Sequence, residues 1–112
     1  MLDIDKVKSE IIRKLKPLNP DKVILFGSYA YGSPNSESDI DLFLIKDDLL
    51  EDNFRSYTLK ARKLLREIIF KYNTNGIDII SASSNFLQAR TDYFYKIDIL
   101  QNGEVLYERK VS

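Results

Sequence analysis

Asp39 and Asp41 flank Ile40 in an otherwise apolar stretch, and Asp78 interrupts the run Ile77-Asp78-Ile79-Ile80. Residues two apart on a strand project to the same side, several ångströms from one another. Two carboxylates so placed repel, and a shared divalent cation is the usual relief. A pair of such ions about 4 Å apart can clamp the attacking and leaving oxygens of a phosphoryl displacement. A bare Asp-x-Asp is more often a solvated strand face. Here Phe43 and Ile45 continue the same face as apolar, and a buried strand would not carry two unpaired carboxylates without a partner. Asp78 needs a cation, a hydrogen-bond network or a strand-end position. On a strand beside the other two it could ligate metal or take a proton from an incoming hydroxyl; the plainer alternative is a pairing with a nearby Lys or Arg.

A second candidate feature is Gly27-Ser28, which follows the apolar run Val23-Ile24-Leu25-Phe26. Glycine reaches dihedrals closed to other residues and lets a phosphate approach the backbone closely. Ser28 adds a hydroxyl and an amide, at the start of what could be a short helix. Gly-Ser alone reads more simply as a strand-ending turn.

The elements that must position these groups follow from periodicity. Ile4, Val7, Ile11 and Leu15 predict an amphipathic helix over residues 3–16, with Asp3 as N-cap and Pro17 and Pro20 ending it. Val23–Phe26 reads as a strand buried on both faces. A second strand is expected from about Ser38 to Ile45, with Ile40, Leu42 and Leu44 opposite the aspartate face. A long helix over residues 49–72 carries the stripe Phe54, Tyr57, Ala61, Leu64, Leu65, Ile68 and Ile69. After the turn Asn73-Thr74-Asn75-Gly76 come a third strand with Asp78, then residues 84–101 as helix broken near Thr91. Val105–Tyr107 closes the chain as a short strand. The order helix, strand, strand, helix, strand, helix, strand predicts one α/β (α+β) domain over 1–112, a small mixed sheet flanked by helices.

Composition narrows the chemistry. The 112 residues contain no Cys and no His, which removes disulfides, thiol catalysis, Cys/His zinc sites and His-based triads. Carboxylate sites suit hard cations such as Mg²⁺ or Mn²⁺. Lys+Arg and Asp+Glu both number 17, and this zero net charge argues against general nucleic-acid binding. No apolar stretch approaches a membrane span, so a cytoplasmic location is expected. The basic run Lys60, Arg62, Lys63 and Arg66 reads as a solvated helix face. Tyr93, Phe94 and Tyr95 fit a partner surface, although core packing of two of them is the simpler reading.

Gly27-Ser28, ten intervening residues and Asp39-Ile40-Asp41 together resemble the signature of the DNA polymerase β-like nucleotidyltransferase superfamily. The string GSYAYGSPNSESDIDLFLI is similar to its smallest members, the minimal nucleotidyltransferases, and the likeness extends to the closing segment Gly103–Glu108. The resemblance implies that Gly27 and Ser28 contact a triphosphate, that Asp39 and Asp41 bind two Mg²⁺, and that Asp78 assists the nucleophile. It implies ATP as substrate, AMP transfer with loss of pyrophosphate, and a HEPN-type ribonuclease toxin as the partner, modified on a tyrosine within a hetero-oligomer. In that group the small protein is the antitoxin. One departure is Tyr31, where many relatives have Arg before the second glycine. It keeps open neutralisation by binding alone. An aminoglycoside-type small-molecule transferase, a third alternative, would need a second domain or a composite dimer site.

Overall fold

A computed structural model describes residues 3–32, 34, 38–72, 74–90 and 94–109. The first helix, α1 (Ile4–Leu15), begins where expected: the Lys6 amide donates to the Asp3 carboxylate at 3.5 Å. It buries Val7, Ile11 and Leu15 of its predicted stripe and leaves Ile4 half-buried. A 3₁₀ turn, Lys16–Leu18, carries Pro17 at its start and ends on Asn19 in the left-handed region. Strand β1 (Lys22–Phe26) follows, then a single helical turn, α2 (Ser28–Tyr31). The remaining elements are β2 (Ile40–Ile45), α3 (Glu51–Lys71), β3 (Ile77–Ala82), α4 (Ser84–Ala89), a π-helical segment (Phe94–Gln101) and β4 (Glu104–Glu108).

The four strands form one mixed sheet in the order β3-β2-β1-β4. Strand β1 is antiparallel to both β2 and β4, with a register shift at Val23/Ile24 against β4. Strands β2 and β3 are parallel, and the long helix α3 makes the crossover that a parallel pair needs.

Both faces of the sheet are covered, and the alternation along each strand divides the core in two. Val23, Leu25, Ile40, Leu42, Leu44, Ile77 and Ile79 pack with α1 and with Tyr57, Ala61, Leu65 and Ile68 of α3. Ile24, Phe26, Phe43, Ile45 and Ala82 turn the other way, against Leu87 of α4 and Ile99 of the π-helical segment. Strand β1 is therefore buried on both faces, as its continuous apolar run predicts. Helix α3 is pinned by specific contacts as well as by burial. The Tyr57 hydroxyl donates to the Leu18 carbonyl at 3.2 Å, and the Thr58 hydroxyl to Ser81 at 2.8 Å. Lys14–Glu67 and Lys71–Glu10 tie it to α1. No helix among the described residues is long and apolar enough to cross a membrane.

Residues 84–101 form two helical pieces, as expected. The break near Thr91, like Tyr93, lies outside the described residues, and so do the side chains of Phe94 and Tyr95.

Candidate active site

The three aspartates meet at one end of the sheet. Asp41 is the second residue of β2, and the parallel register sets it directly beside Asp78 on β3. Neighbouring residues of paired strands point the same way. Both side chains therefore lie on the side of Phe43, Ile45 and Ile80, the α4 side of the sheet. Asp39 lies one residue before β2, where the Ile40 amide donates to the Gly76 carbonyl at 3.0 Å. That bond holds Asp39 over Gly76: a β-carbon at residue 76 would stand 3.4 Å from the Asp39 Oδ1.

Gly27 closes the site from the other flank. In the antiparallel register Phe26 pairs with Asp41, so the turn after β1 passes next to the Asp41 carboxylate. Gly27 has φ 78° and ψ −161°, a region essentially reserved for glycine. A β-carbon there would land on the Asp41 Oδ2. The glycine thus makes the sharp turn and also leaves the volume that Asp41 occupies. From this turn α2 begins, with the amides of Ala30 and Tyr31 donating to the Gly27 carbonyl. The Ser28 hydroxyl donates to the Ser38 hydroxyl at 3.1 Å, linking the glycine turn to the residue before Asp39.

Electrostatics single out Asp41. Its carboxyl is pushed up to about 6, first by burial and then by the negative charges of Asp78 and Asp39. Asp39 and Asp78 are exposed, and among the described residues no Lys or Arg forms an ion pair with any of the three. The simpler reading of Asp78, an aspartate paired with a cationic side chain, therefore does not hold among these residues. A set of oxygen-only anionic donors, mutually repelling and with no cationic side chain paired to them among the described residues, fits a hard divalent cation. Among the described residues the three carboxylates are not already gathered around one point at ligating distance. Asp41 with Asp78 is the pair set side by side, and Asp39 flanks it.

Comparison with known proteins identifies what this arrangement belongs to. The family "Polymerase beta, Nucleotidyltransferase" matches residues 9–112. The chain is a member of the polymerase β nucleotidyltransferase family. This nucleotidyltransferase is 29% identical over 104 residues to a protein of Methanocaldococcus jannaschii named "Putative protein adenylyltransferase", covering 93% of this chain and 90% of that one. Its fold is similar to that of a toxin-antitoxin crystallised with AMP-PNP, with TM-score 0.60 and 22% identity over 92% of this chain and 74% of that one. It is also similar to an MntA-HpeT toxin-antitoxin variant, with TM-score 0.59 and 18% identity over the same shares of the two chains.

Every candidate site residue read from the nucleotidyltransferase sequence thus lies at the same end of the sheet: Gly27, Ser28, Asp39, Asp41 and Asp78. Two supporting residues escaped that reading. In the sequence Ser38 reads as the start of the second strand and Gly76 as the end of a turn, and only the fold brings them to Ser28 and Asp39. Tyr31, in the position of the expected Arg, is half exposed and ends α2 just before Gly32.

Proposed function

We propose that this nucleotidyltransferase transfers AMP from ATP to a tyrosine hydroxyl of a HEPN-type ribonuclease toxin, and thereby acts as its antitoxin. The observation that carries the reading is Asp41 set beside Asp78, flanked by Asp39 and the Gly27-Ser28 turn, with no cationic side chain paired to the carboxylates among the described residues. The name of the archaeal relative supports a protein as acceptor, and the AMP-PNP of the toxin-antitoxin relative supports ATP.

In this reading Gly27 and Ser28 bind the triphosphate. Gly27 offers bare backbone, and the Ser28 and Tyr29 amides that open α2 have no intrahelical acceptor. Asp39, Asp41 and Asp78 would hold divalent cations, Mg²⁺ or Mn²⁺, which when bound neutralise the triphosphate and polarise the α-phosphorus. Asp78, exposed at the edge of the site, accepts the proton of the incoming hydroxyl. The tyrosine oxygen forms a bond to the α-phosphorus, the bond from that phosphorus to the bridging oxygen breaks, and pyrophosphate leaves. The protein would work in the cytoplasm, as a hetero-oligomer with its toxin.

Neutralisation by binding alone is the second reading, and Tyr31 in place of the usual Arg is the observation that favours it. The two separate on one experiment. Incubation of the purified chain with Mg-ATP and the toxin should add AMP to the toxin, and binding without modification would select the second reading.

A further inference from the structure

The outward face of α3 carries a basic stripe with two apolar side chains set into it. Arg55, Leu59, Arg62, Arg66 and Phe70 recur at three- and four-residue steps, which places them in one line along the helix, with Lys63 beside it. All six are exposed, Leu59 by 44% and Phe70 by 80%. The opposite face buries Tyr57, Ala61, Leu65 and Ile68, so the stripe takes no part in the core.

Its charge is uncompensated among the described residues. On the flanks of the same helix Glu67 pairs with Lys14 and Lys71 with Glu10, whereas Arg55, Arg62, Lys63 and Arg66 form no ion pair or hydrogen bond among the described residues. Arg62 and Arg66 stand one turn apart, where like charges repel. A solvated face accounts for scattered charge. It does not account for unneutralised arginines sharing one line with an exposed Leu and an exposed Phe in a chain of zero net charge. Arg and aromatic side chains are the residues enriched at the centres of protein interfaces.

We propose that this stripe is the docking face for a protein partner presenting carboxylates around apolar receiving sites for Leu59 and Phe70. Charge complementarity selects that occupant. A phosphate polymer would engage the guanidinium groups but leave Leu59 without a role. A lipid surface calls for a broad apolar face, whereas Leu59 and Phe70 are about 16 Å apart along the helix with arginines between them. The stripe lies on the α3 side of the sheet and the carboxylates Asp41 and Asp78 on the α4 side, so a partner held here leaves the site open to ATP, and its acceptor tyrosine must reach past the end of the sheet. This deepens the proposed function, and rests on its premise that the acceptor is a protein.

The test is titration of the toxin against the full chain, with ATP affinity and AMP transfer measured in parallel. The variants are Arg55→Glu/Arg62→Glu/Arg66→Glu, the same three positions changed to Lys, and Phe70→Ala. Charge reversal should weaken toxin binding ~100-fold or more, and Phe70→Ala about 10-fold. The Lys variant should keep most of the affinity, and ATP affinity should not change. Toxin binding unaffected by charge reversal, with transfer intact in the wild type, overturns the docking face alone. Tighter binding of an RNA oligonucleotide or of anionic vesicles through the same arginines overturns the choice of a protein. A wild type that neither binds nor modifies the toxin overturns both this assignment and the functional reading.

Discussion

Replacing Gly27 with Ala tests how the glycine turn and the carboxylates are coupled. At φ 78° and ψ −161° a residue with a β-carbon is strained by about 1–3 kcal/mol. The new methyl would also land on the Asp41 Oδ2, so the carboxylate must leave the position it holds between Gly27 and Asp78. A loss of about 2 kcal/mol corresponds to roughly 8 °C in Tm for a chain of this size. Displacing a reacting group by about 1 Å can cost on the order of 10²-fold in rate. Gly32→Ala is the control. Gly32 also has positive φ, at 79°, but a β-carbon there meets nothing within 4 Å. It should cost about 1 kcal/mol and leave the Asp41 carboxylate in place. Thermal melts report the strain, and transfer rates with Mg-ATP report the displacement. Gly27→Ala that melts with the wild type and transfers AMP at its rate would refute the coupling. Equal loss of transfer in both alanine variants would show that the turn matters for some other reason.

Other consequences concern the carboxylates and the contacts that hold them. Because folding raises the Asp41 carboxyl from 3.8 to about 6, its contribution to stability is full below pH ~4 and is lost as pH rises through about 6. In metal-free buffer, Tm of the wild type should therefore fall relative to Asp41→Asn across that window, and parallel curves would count against the raised proton affinity. The double variant Asp39→Asn/Asp41→Asn should fold normally, melt no lower than wild type without metal, and lose on the order of 10²–10³-fold or more in transfer; transfer at the normal rate would remove both residues from the site. Ser28→Ala should cost about 1 kcal/mol by breaking the bond to Ser38 and lower transfer as well, checked by denaturant titration and initial rates. Tyr57→Phe, which removes the bond to the Leu18 carbonyl, should cost a similar ~1 kcal/mol with transfer unchanged.

The parts of this protein that read directly from sequence are those set by local pattern. Val23–Phe26 announces a doubly buried strand because neither face offers a polar residue, and Asp41, Phe43 and Ile45 do share a face. Of the predicted α3 stripe, Tyr57, Ala61, Leu65 and Ile68 are buried in the fold, and Phe54, Leu64 and Ile69 are half-buried. Element ends were less legible. Strand β3 runs on through Ser81 and Ala82, where the Ser81 hydroxyl is satisfied by Thr58 from a different element. The π-helical winding of Phe94–Gln101 has no signature in residue spacing. Within the site, the residue types were legible and their neighbours were not. That Asp78 stands beside Asp41 depends on β2–β3 register, and register is a property of the folded pair. The same holds for Gly76 under Asp39 and Ser38 against Ser28, contacts between residues 37 and 10 positions apart.

The central claim, that the carboxylate site transfers AMP to a partner protein, is tested most directly by intact mass. The toxin should be mixed with Mg-ATP and either the wild-type chain or Asp39→Asn/Asp41→Asn, and its mass recorded before and after. The account predicts that the toxin gains the mass of AMP with the wild type and stays unchanged with the double variant. An unmodified toxin in both mixtures, despite a stable complex, would contradict it and leave neutralisation by binding.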